Sequence, residues 1–141
     1  MTCGCGKKGC LEQYTSATGV VREARRRLAA SDAPSLLRSA EPVSAKDVFD
    51  CAKAVDPLAL EVVDFFADYL GRGLACVSCV CDPQVFVLGG GVSAAGQIII
   101  DRAAEAFRRY AFPAAEETRL VLASLGNDAG ICGAARLVLD C

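Results

Sequence analysis

The residues best suited to chemistry crowd into the start of the chain. Cys3-Gly4-Cys5-Gly6-Lys7-Lys8-Gly9-Cys10 sets three thiols among three glycines. Glycine lets the backbone fold tightly, so thiols at this spacing can converge on one ion. Structural zinc takes four ligands, of which this motif supplies three. Lys7 and Lys8 would offset part of the negative charge of a thiolate site. The alternative is three free thiols in a mobile tail. Glu12 follows two residues after Cys10, near a helix start. Its charge suits the positive end of the helix dipole there, and a carboxylate on a fixed frame is also a strong acceptor for ligand hydroxyls. Farther along, Gly89-Gly90-Gly91-Val92-Ser93 stands between a short apolar run and a helical pattern. Glycines there admit a ligand backbone or phosphate, and a helix N-terminus favours anions; the same triplet also makes an ordinary tight turn. Gly126-Asn127-Asp128 is a comparable second loop, with Asp128 equally suited to capping the helix after it.

Other clusters carry less. Cys76-Val77-Ser78-Cys79-Val80-Cys81 offers three more thiols. At about 100° per residue, Cys76 and Cys79 share a helix face and Cys81 points away, which argues against a second metal site. Buried cysteine behaves as a small hydrophobe, so these three are expected to be buried packing residues. Cys51, Cys132 and Cys141 read as packing or surface thiols. The chain has nine Cys and no His. An odd count leaves one thiol outside any complete disulfide set, and a reducing cytosol opposes disulfides. The absence of His removes the commonest general base and the commonest zinc ligand. Arg22, Arg25, Arg26 and Arg27 are expected to form a solvated helix face.

These residues need a frame. At 141 residues the chain is one domain's worth, and 53% hydrophobic content excludes a disordered chain. A net charge of -2 argues against a nucleic-acid binder. The longest apolar run stops at Asp82-Pro83, short of a membrane span. The start has no charged-then-apolar leader, so the expected location is cytoplasmic.

The patterning predicts a helix over 11–30, broken near Gly19, and a connector over 31–43 with one short helical turn. Ser44 with Asp47 forms a capping box for a helix to about 55. Asp56-Pro57 starts a helix to about 81, with Asp as cap and Pro in the first position. Glu61, Asp64, Asp68 and Arg72 make its polar stripe; beyond Arg72 the stripe fades, which predicts burial on all sides. QVFVL at 84–88 reads as a buried strand. A helix over 94–110 puts Ile99, Ala103, Phe107 and Tyr110 on one face, and Pro113 closes it. A second strand over 119–123, a turn over 124–128 and a helix over 129–139 follow. Strand–helix–strand order predicts a parallel pair. Two strands make a poor sheet, so part of a fold is missing.

CGCGKKGCLE, from Cys3 to Glu12, resembles the cysteine signature of the ROK family of bacterial sugar kinases and repressors, its glucokinase branch in particular. The resemblance runs on through Gln13-Tyr14, Ser16-Ala17-Thr18-Gly19, Val87-Leu88-Gly89-Gly90-Gly91-Val92-Ser93 and Leu125-Gly126-Asn127-Asp128-Ala129-Gly130, in order along nearly the whole chain. It implies that Cys3, Cys5 and Cys10 hold structural Zn²⁺ together with an upstream His, for which Met1 and Thr2 leave no position. It implies that Glu12 hydrogen-bonds a sugar hydroxyl, and that Gly89, Gly90, Gly91, Ser93 and Asn127 line the nucleotide site.

The implied fold is α/β: the C-terminal part of an actin/hexokinase-like (ribonuclease H-like) ATPase lobe, helix-rich with a small parallel sheet. Within it, residues 1–12 would be a zinc loop, 13–82 helical and 83–141 the nucleotide-side part. The family's phosphate-binding Asp-Gly-Gly segment and catalytic Asp precede the cysteine motif, and no position here matches either. The implied function is part of an ATP- and Mg²⁺-dependent kinase acting on the 6-hydroxyl of glucose or a related hexose, inactive as this chain alone. Its partners would be the missing N-terminal portion and a second copy in a homodimer, with no nucleic acid and no membrane. The alternatives are the effector-binding lobe of a ROK-type repressor and a non-catalytic dimerisation fragment.

Overall fold

A computed structural model describes residues 2–139, apart from the side chain of Asn127; Cys141 lies outside the described residues. After the cysteine loop come α1 (Glu12–Thr15) and α2 (Ala17–Ala30). The break between them falls at Ser16, not at Gly19 as expected. Ser16 takes an extended backbone and its hydroxyl accepts the Gly19 N–H at 3.1 Å, which caps α2. Gly19 has a different use: a Cβ there would stand 2.6 Å from the Gln13 carbonyl oxygen, so glycine permits the close approach of α2 to α1.

The connector holds one 3-10 turn, Leu36–Ser39, and α3 (Ala45–Lys53) starts with the capping box of Ser44 and Asp47. α4 (Pro57–Cys81) starts at Asp56 with proline in the first turn. The buried Asp56 carboxylate accepts from Ala59 N–H at 2.9 Å, Leu36 N–H at 2.6 Å and the Ser35 hydroxyl at 3.0 Å. One carboxylate therefore both caps α4 and ties the connector to it. The main core joins α2, α3 and α4 through Val20, Leu37, Val48, Phe49, Val62 and Phe66. Phe49 and Phe66 meet edge to face at 5.9 Å, a favoured aromatic geometry.

β1 (Val85–Leu88) and β2 (Arg119–Leu122) pair in parallel, Val85 opposite Arg119 and Leu88 opposite Leu122. α5 (Gln97–Tyr110) connects them and packs along α4. Gly71 is where those helices meet closely; a Cβ there would lie 2.7 Å from the Ala106 Cβ. A second core, Ala75, Ile100, Ala103, Phe107 and Leu120, seals α4 and α5 against β2. The chain ends in α6 (Ala129–Leu139). The result is the helix-rich α/β arrangement with a small parallel sheet that the order of elements implied. No helix among the described residues is long and apolar enough to cross a membrane.

Five expectations are corrected. The C-terminal half of α4 buries only a stripe, Gly71, Ala75 and Ser78, while Cys76, Cys79 and Cys81 are exposed and Val80 is 85% exposed. Apolar composition shows that cover is wanted; among the described residues, α5 supplies it on one side only. β1 is likewise half-covered, with Val87 60% exposed. α5 begins at Gln97, because Gly96 takes φ +81° and the residues before it form a 3-10 turn, Gly91–Ala95. It ends at Tyr110 as expected, but Tyr110 leaves the apolar face predicted for it and turns outward to donate its hydroxyl to Asp68 at 2.7 Å. Finally, the arginine run is more than a solvated face. Arg26 and Arg27 both donate to the buried Glu23, at 2.7 to 2.8 Å, and Arg27 also pairs with Glu61 of α4. The Arg26 guanidinium, with Arg27 beside it, holds Glu23 below the usual carboxylate range.

Candidate functional site

The cysteine loop closes on itself. Cys3 N–H donates to the Lys7 carbonyl at 2.7 Å and Gly6 N–H to the Cys3 carbonyl at 2.9 Å. Gly6 and Gly9 take φ +82° and +74°, which side chains disfavour and glycine allows. The turn brings the three sulfurs within 4.8 Å of one another, Cys5 Sγ and Cys10 Sγ at 3.6 Å. Zn–S bonds of about 2.3 Å in a tetrahedron put sulfurs about 3.8 Å apart, so the donor set fits zinc in kind and in spacing. This is the only such cluster among the described residues; Cys76, Cys79 and Cys81 form none.

Crowding divides the thiols. The Lys7 backbone N–H, then the Cys10 and Cys3 thiols, lower the Cys5 pKa, because each stabilises its thiolate. Cys10 is pushed up to about 11, first by its hydrogen bond with Cys5, then by Cys3 and by desolvation. One thiolate among close thiols makes the next proton harder to remove; a bound divalent cation reverses that logic.

The loop hands over directly to Glu12, the first residue of α1. Cys3 Sγ donates to Glu12 Oε2 at 3.3 Å, and Gln13 Nε2 donates to the same oxygen at 2.8 Å. Arg22 of α2 then holds Gln13, with Nη1 donating to Oε1 at 2.9 Å and Nη2 to the Gln13 carbonyl. A chain of contacts thus runs from the thiol loop through Glu12 and Gln13 to α2. Sequence reasoning missed the contacts of Gln13 and Arg22 in this chain. The adjacency of Gln13 to Glu12 was the available signal; the partnership with Arg22 depends on the bend at Ser16.

At the other end of α1, Thr15 lines a cavity of about 220 Å³ together with Gly89, Gly91, Ser93 and Ile99. The glycine loop follows β1. Gly90 takes φ +81°, and the Ser93 hydroxyl donates to the Gly90 carbonyl at 2.6 Å. Ser93 therefore closes the turn with its side chain. A Cβ on Gly90 or Gly91 would meet nothing within 4 Å, so the loop faces open space; Gly89 is closer, at 3.3 Å from the Ala123 Cβ. A 3-10 turn, Gly91–Ala95, stands where an α-helix N-terminus was expected, so loop N–H groups rather than the end of α5 lie beside the glycines.

The second loop follows β2 as a 3-10 turn, Gly126–Asp128, and packs beside the Gly91–Ala95 turn. Asn127 thereby comes next to the glycine loop, though its side chain lies outside the described residues. Both loops sit past the carboxyl ends of parallel strands, where open α/β sheets bind ligands. The fold brings the cysteine loop, Glu12, α1 and the glycine loop into one continuous tract.

Known proteins share this arrangement. The family model described as ROK family matches residues 1–141. A glucokinase of Halalkalibacterium halodurans is 41% identical over 140 residues, covering 96% of this chain and 42% of the relative. The crystal structure of a ROK family glucokinase from Streptomyces griseus in complex with glucose and AMPPNP superposes with a TM-score of 0.86 at 35% identity, over 97% of this chain and 46% of that one. A ROK family transcriptional regulator, a homolog of the Escherichia coli MLC protein, matches with a TM-score of 0.75 at 29% identity, over 86% of this chain and 31% of its own. The chain spans about half the length of the glucokinases it matches.

Proposed function

Because the chain belongs to the ROK family, we propose that it is the C-terminal portion of a sugar kinase that transfers the γ-phosphate of ATP to the 6-hydroxyl of glucose. The observation that carries this is one juxtaposition: a thiol loop gripping Glu12 at the head of α1, and open glycine loops past β1 and β2 near its tail. That is a fixed acceptor for a sugar beside a phosphate-sized opening. The glucose and AMPPNP in the Streptomyces griseus relative support the same reading.

In this reading Glu12 accepts from sugar hydroxyls, oriented by the Gln13 amide and by the loop that leads into α1. Gly89, Gly90 and Gly91 let the nucleotide approach, Ser93 keeps their turn closed, and Asn127 contributes from the second loop. Cys3, Cys5 and Cys10 hold a structural zinc; when bound it supplies a cross-link that stiffens the loop behind Glu12. Residues 1–12, 13–82 and 83–141 act as zinc loop, helical support and nucleotide side. Mg²⁺ accompanies ATP. The carboxylate that takes the hydroxyl proton belongs to the remaining portion of the parent, so the chain alone is inactive. A kinase of glucose or a related hexose, working as a cytoplasmic homodimer, is the whole assembly proposed.

The test is complementation. The chain alone, with ATP, Mg²⁺ and glucose in a coupled assay, gives background only; adding the remaining portion of the parent restores turnover. Glu12→Ala then lowers kcat/KM for glucose by about 10- to 100-fold, the loss of a charge-assisted hydrogen bond worth roughly 1.5–3 kcal/mol. Turnover by the chain alone that Glu12→Ala abolishes overturns the partial-kinase reading. The likeness to the regulator favours a second reading, an effector-binding lobe, and the remaining portion decides between them. A helix-turn-helix there makes the parent a repressor, and an Asp in its sugar loop makes it a kinase.

A further inference from the structure

Glu12 has two carboxylate oxygens, and the described residues engage one of them. Gln13 Nε2 donates to Oε2 at 2.8 Å, and Cys3 Sγ donates to the same atom at 3.3 Å. Oε1 takes no hydrogen bond from a described residue and is left to accept from a ligand. A thiol that coordinates a cation has no proton to give, so Gln13 is the side-chain donor that remains on Glu12 when the cysteine loop is loaded. Its amide has one workable sense. Arg22 Nη1 donates to Gln13 Oε1 at 2.9 Å. A guanidinium carries donors only and an ionised carboxylate acceptors only. The amide therefore turns its oxygen to Arg22 and its nitrogen to Glu12.

Arg22 is half-buried on α2 and has no other polar partner among the described residues. Arg26 and Arg27 take the Glu23 carboxylate, whereas Arg22 meets no carboxylate. Its two terminal nitrogens both go to Gln13, Nη1 to the side chain and Nη2 to the main-chain carbonyl. That carbonyl also lies over Gly19, where a Cβ would come within 2.6 Å of it. One planar fork thus holds Gln13 by side chain and backbone across the bend at Ser16.

We propose that Arg22 is a positioning residue for sugar binding: it fixes the sense of the Gln13 amide and so aims Oε1 of Glu12 at the sugar hydroxyl. The inference rests on the sugar reading of Glu12 and adds what sets the direction of that carboxylate. Without the guanidinium the amide is free to turn end for end. Its oxygen then faces the carboxylate, two acceptors meet, and Glu12 swings away. Lysine is no substitute, since a single ammonium lacks the fork that spans both Gln13 oxygens.

The experiment has two arms. NMR of the ¹⁵N-labelled chain follows the Gln13 side-chain amide, identified by its disappearance in Gln13→Leu. It is ordered and slow to exchange in the wild type, and averaged in Arg22→Met. The second arm is kinetics of the chain combined with the remaining portion of the parent. Arg22→Met raises KM for glucose about 3- to 10-fold, as loss of roughly one hydrogen bond does, and leaves kcat and KM for ATP nearly unchanged. Arg22→Lys does not restore it. Gln13→Glu separates aiming from mere support: it still accepts from Arg22, so a structural clamp survives, but it has no donor for Glu12. Its thermal midpoint holds while its KM for glucose rises as in Gln13→Leu. Adding Arg22→Met to Gln13→Leu makes KM no worse, because both act through one amide. Circular dichroism checks that each variant is folded, and Gln13→Glu keeps the test available if Arg22→Met is not. A wild-type KM in Gln13→Glu, or a Gln13 amide as ordered in Arg22→Met as in the wild type, overturns the proposal. Either result leaves the sugar reading standing as long as Glu12→Ala still lowers kcat/KM for glucose. Wild-type kcat/KM in Glu12→Ala overturns both.

Discussion

Three thiols are held close with their protons unequally placed: Cys5 is biased toward thiolate and Cys10 is pushed up to about 11. Under the proposed zinc reading a bound cation removes these protons, since a coordinated thiol is deprotonated outright. Zinc retained by the purified chain is therefore expected at one ion per chain by metal analysis, and Cys5→Ser lowers it sharply. The same substitution loosens Glu12, because the loop that Cys5 and Cys10 help to close leads directly into α1; faster amide exchange over residues 10–14 reads this out. Retention of zinc in Cys5→Ser, or its absence from the wild-type chain purified without chelator, counts against the site. The opposite expectation holds for Cys76, Cys79 and Cys81. Read from sequence they were packing residues that would react slowly with thiol reagents. Exposed, they label rapidly in the native state, and Cys79→Ala shifts stability by no more than about 0.5 kcal/mol, as surface substitutions do. The cysteine loop was legible because its residues are neighbours in sequence and its glycines announce the turn. The exposure of the second set was not, because helix periodicity gives a face without saying what lies against it.

At the level of elements, local chemistry was readable and partnership was not. The capping box at Ser44 and Asp47 and the Asp56-Pro57 start follow from side chains bonding to nearby backbone, and the end of α4 at Cys81 follows from Pro83, which cannot continue a helix. At Ser16 two local signals competed, and the hydroxyl cap outweighed the glycine, which was needed two turns away for contact with Gln13. Asp56 shows how much one such residue carries. Burial alone would raise its pKa, but N–H donors from Ala59 and Leu36 and the Ser35 hydroxyl outweigh that and hold it below the usual carboxylate range. A depressed folded-state pKa stabilises the fold above the unfolded value, near 3.9, and the gain is lost as pH falls through the folded value. Stability measured by urea denaturation is therefore level from pH 7 to about 5 and drops below about 4. Asp56→Asn costs about 1–3 kcal/mol at pH 7, leaves cap donors poorly satisfied and flattens that acid limb. An unchanged acid limb in the variant would assign the pH dependence elsewhere, for instance to Glu23.

The whole molecule shows an unfinished surface. α6 buries no residue, and Ile131 and Val138 are 74% and 76% exposed. Val80 at the end of α4, Val87 on β1 and Leu125 beside the second loop are exposed as well. Soluble monomers rarely leave such a set of apolar side chains in water, and sets of this kind mark a surface that another body covers. Two parallel strands of four residues are also a small sheet, which a further strand or a packed layer would stabilise. The chain spans about half the length of the glucokinases it matches, and under the proposed function the covering body is the remaining portion of the parent. Without it, association of the chain with itself is the alternative way to bury the same surface. Sedimentation velocity is expected to show species above 14.7 kDa that grow with concentration, and Ile131→Ser combined with Val138→Ser to shift them toward the monomer. The thermal midpoint should hold, because neither side chain is in the core. Adding the remaining portion should suppress self-association of the wild-type chain in favour of a one-to-one complex, and should fail to capture the double variant as tightly. A chain that stays monomeric at high concentration, and a double variant that joins the complex as well as wild type, would both mean that α6 is not the contact surface.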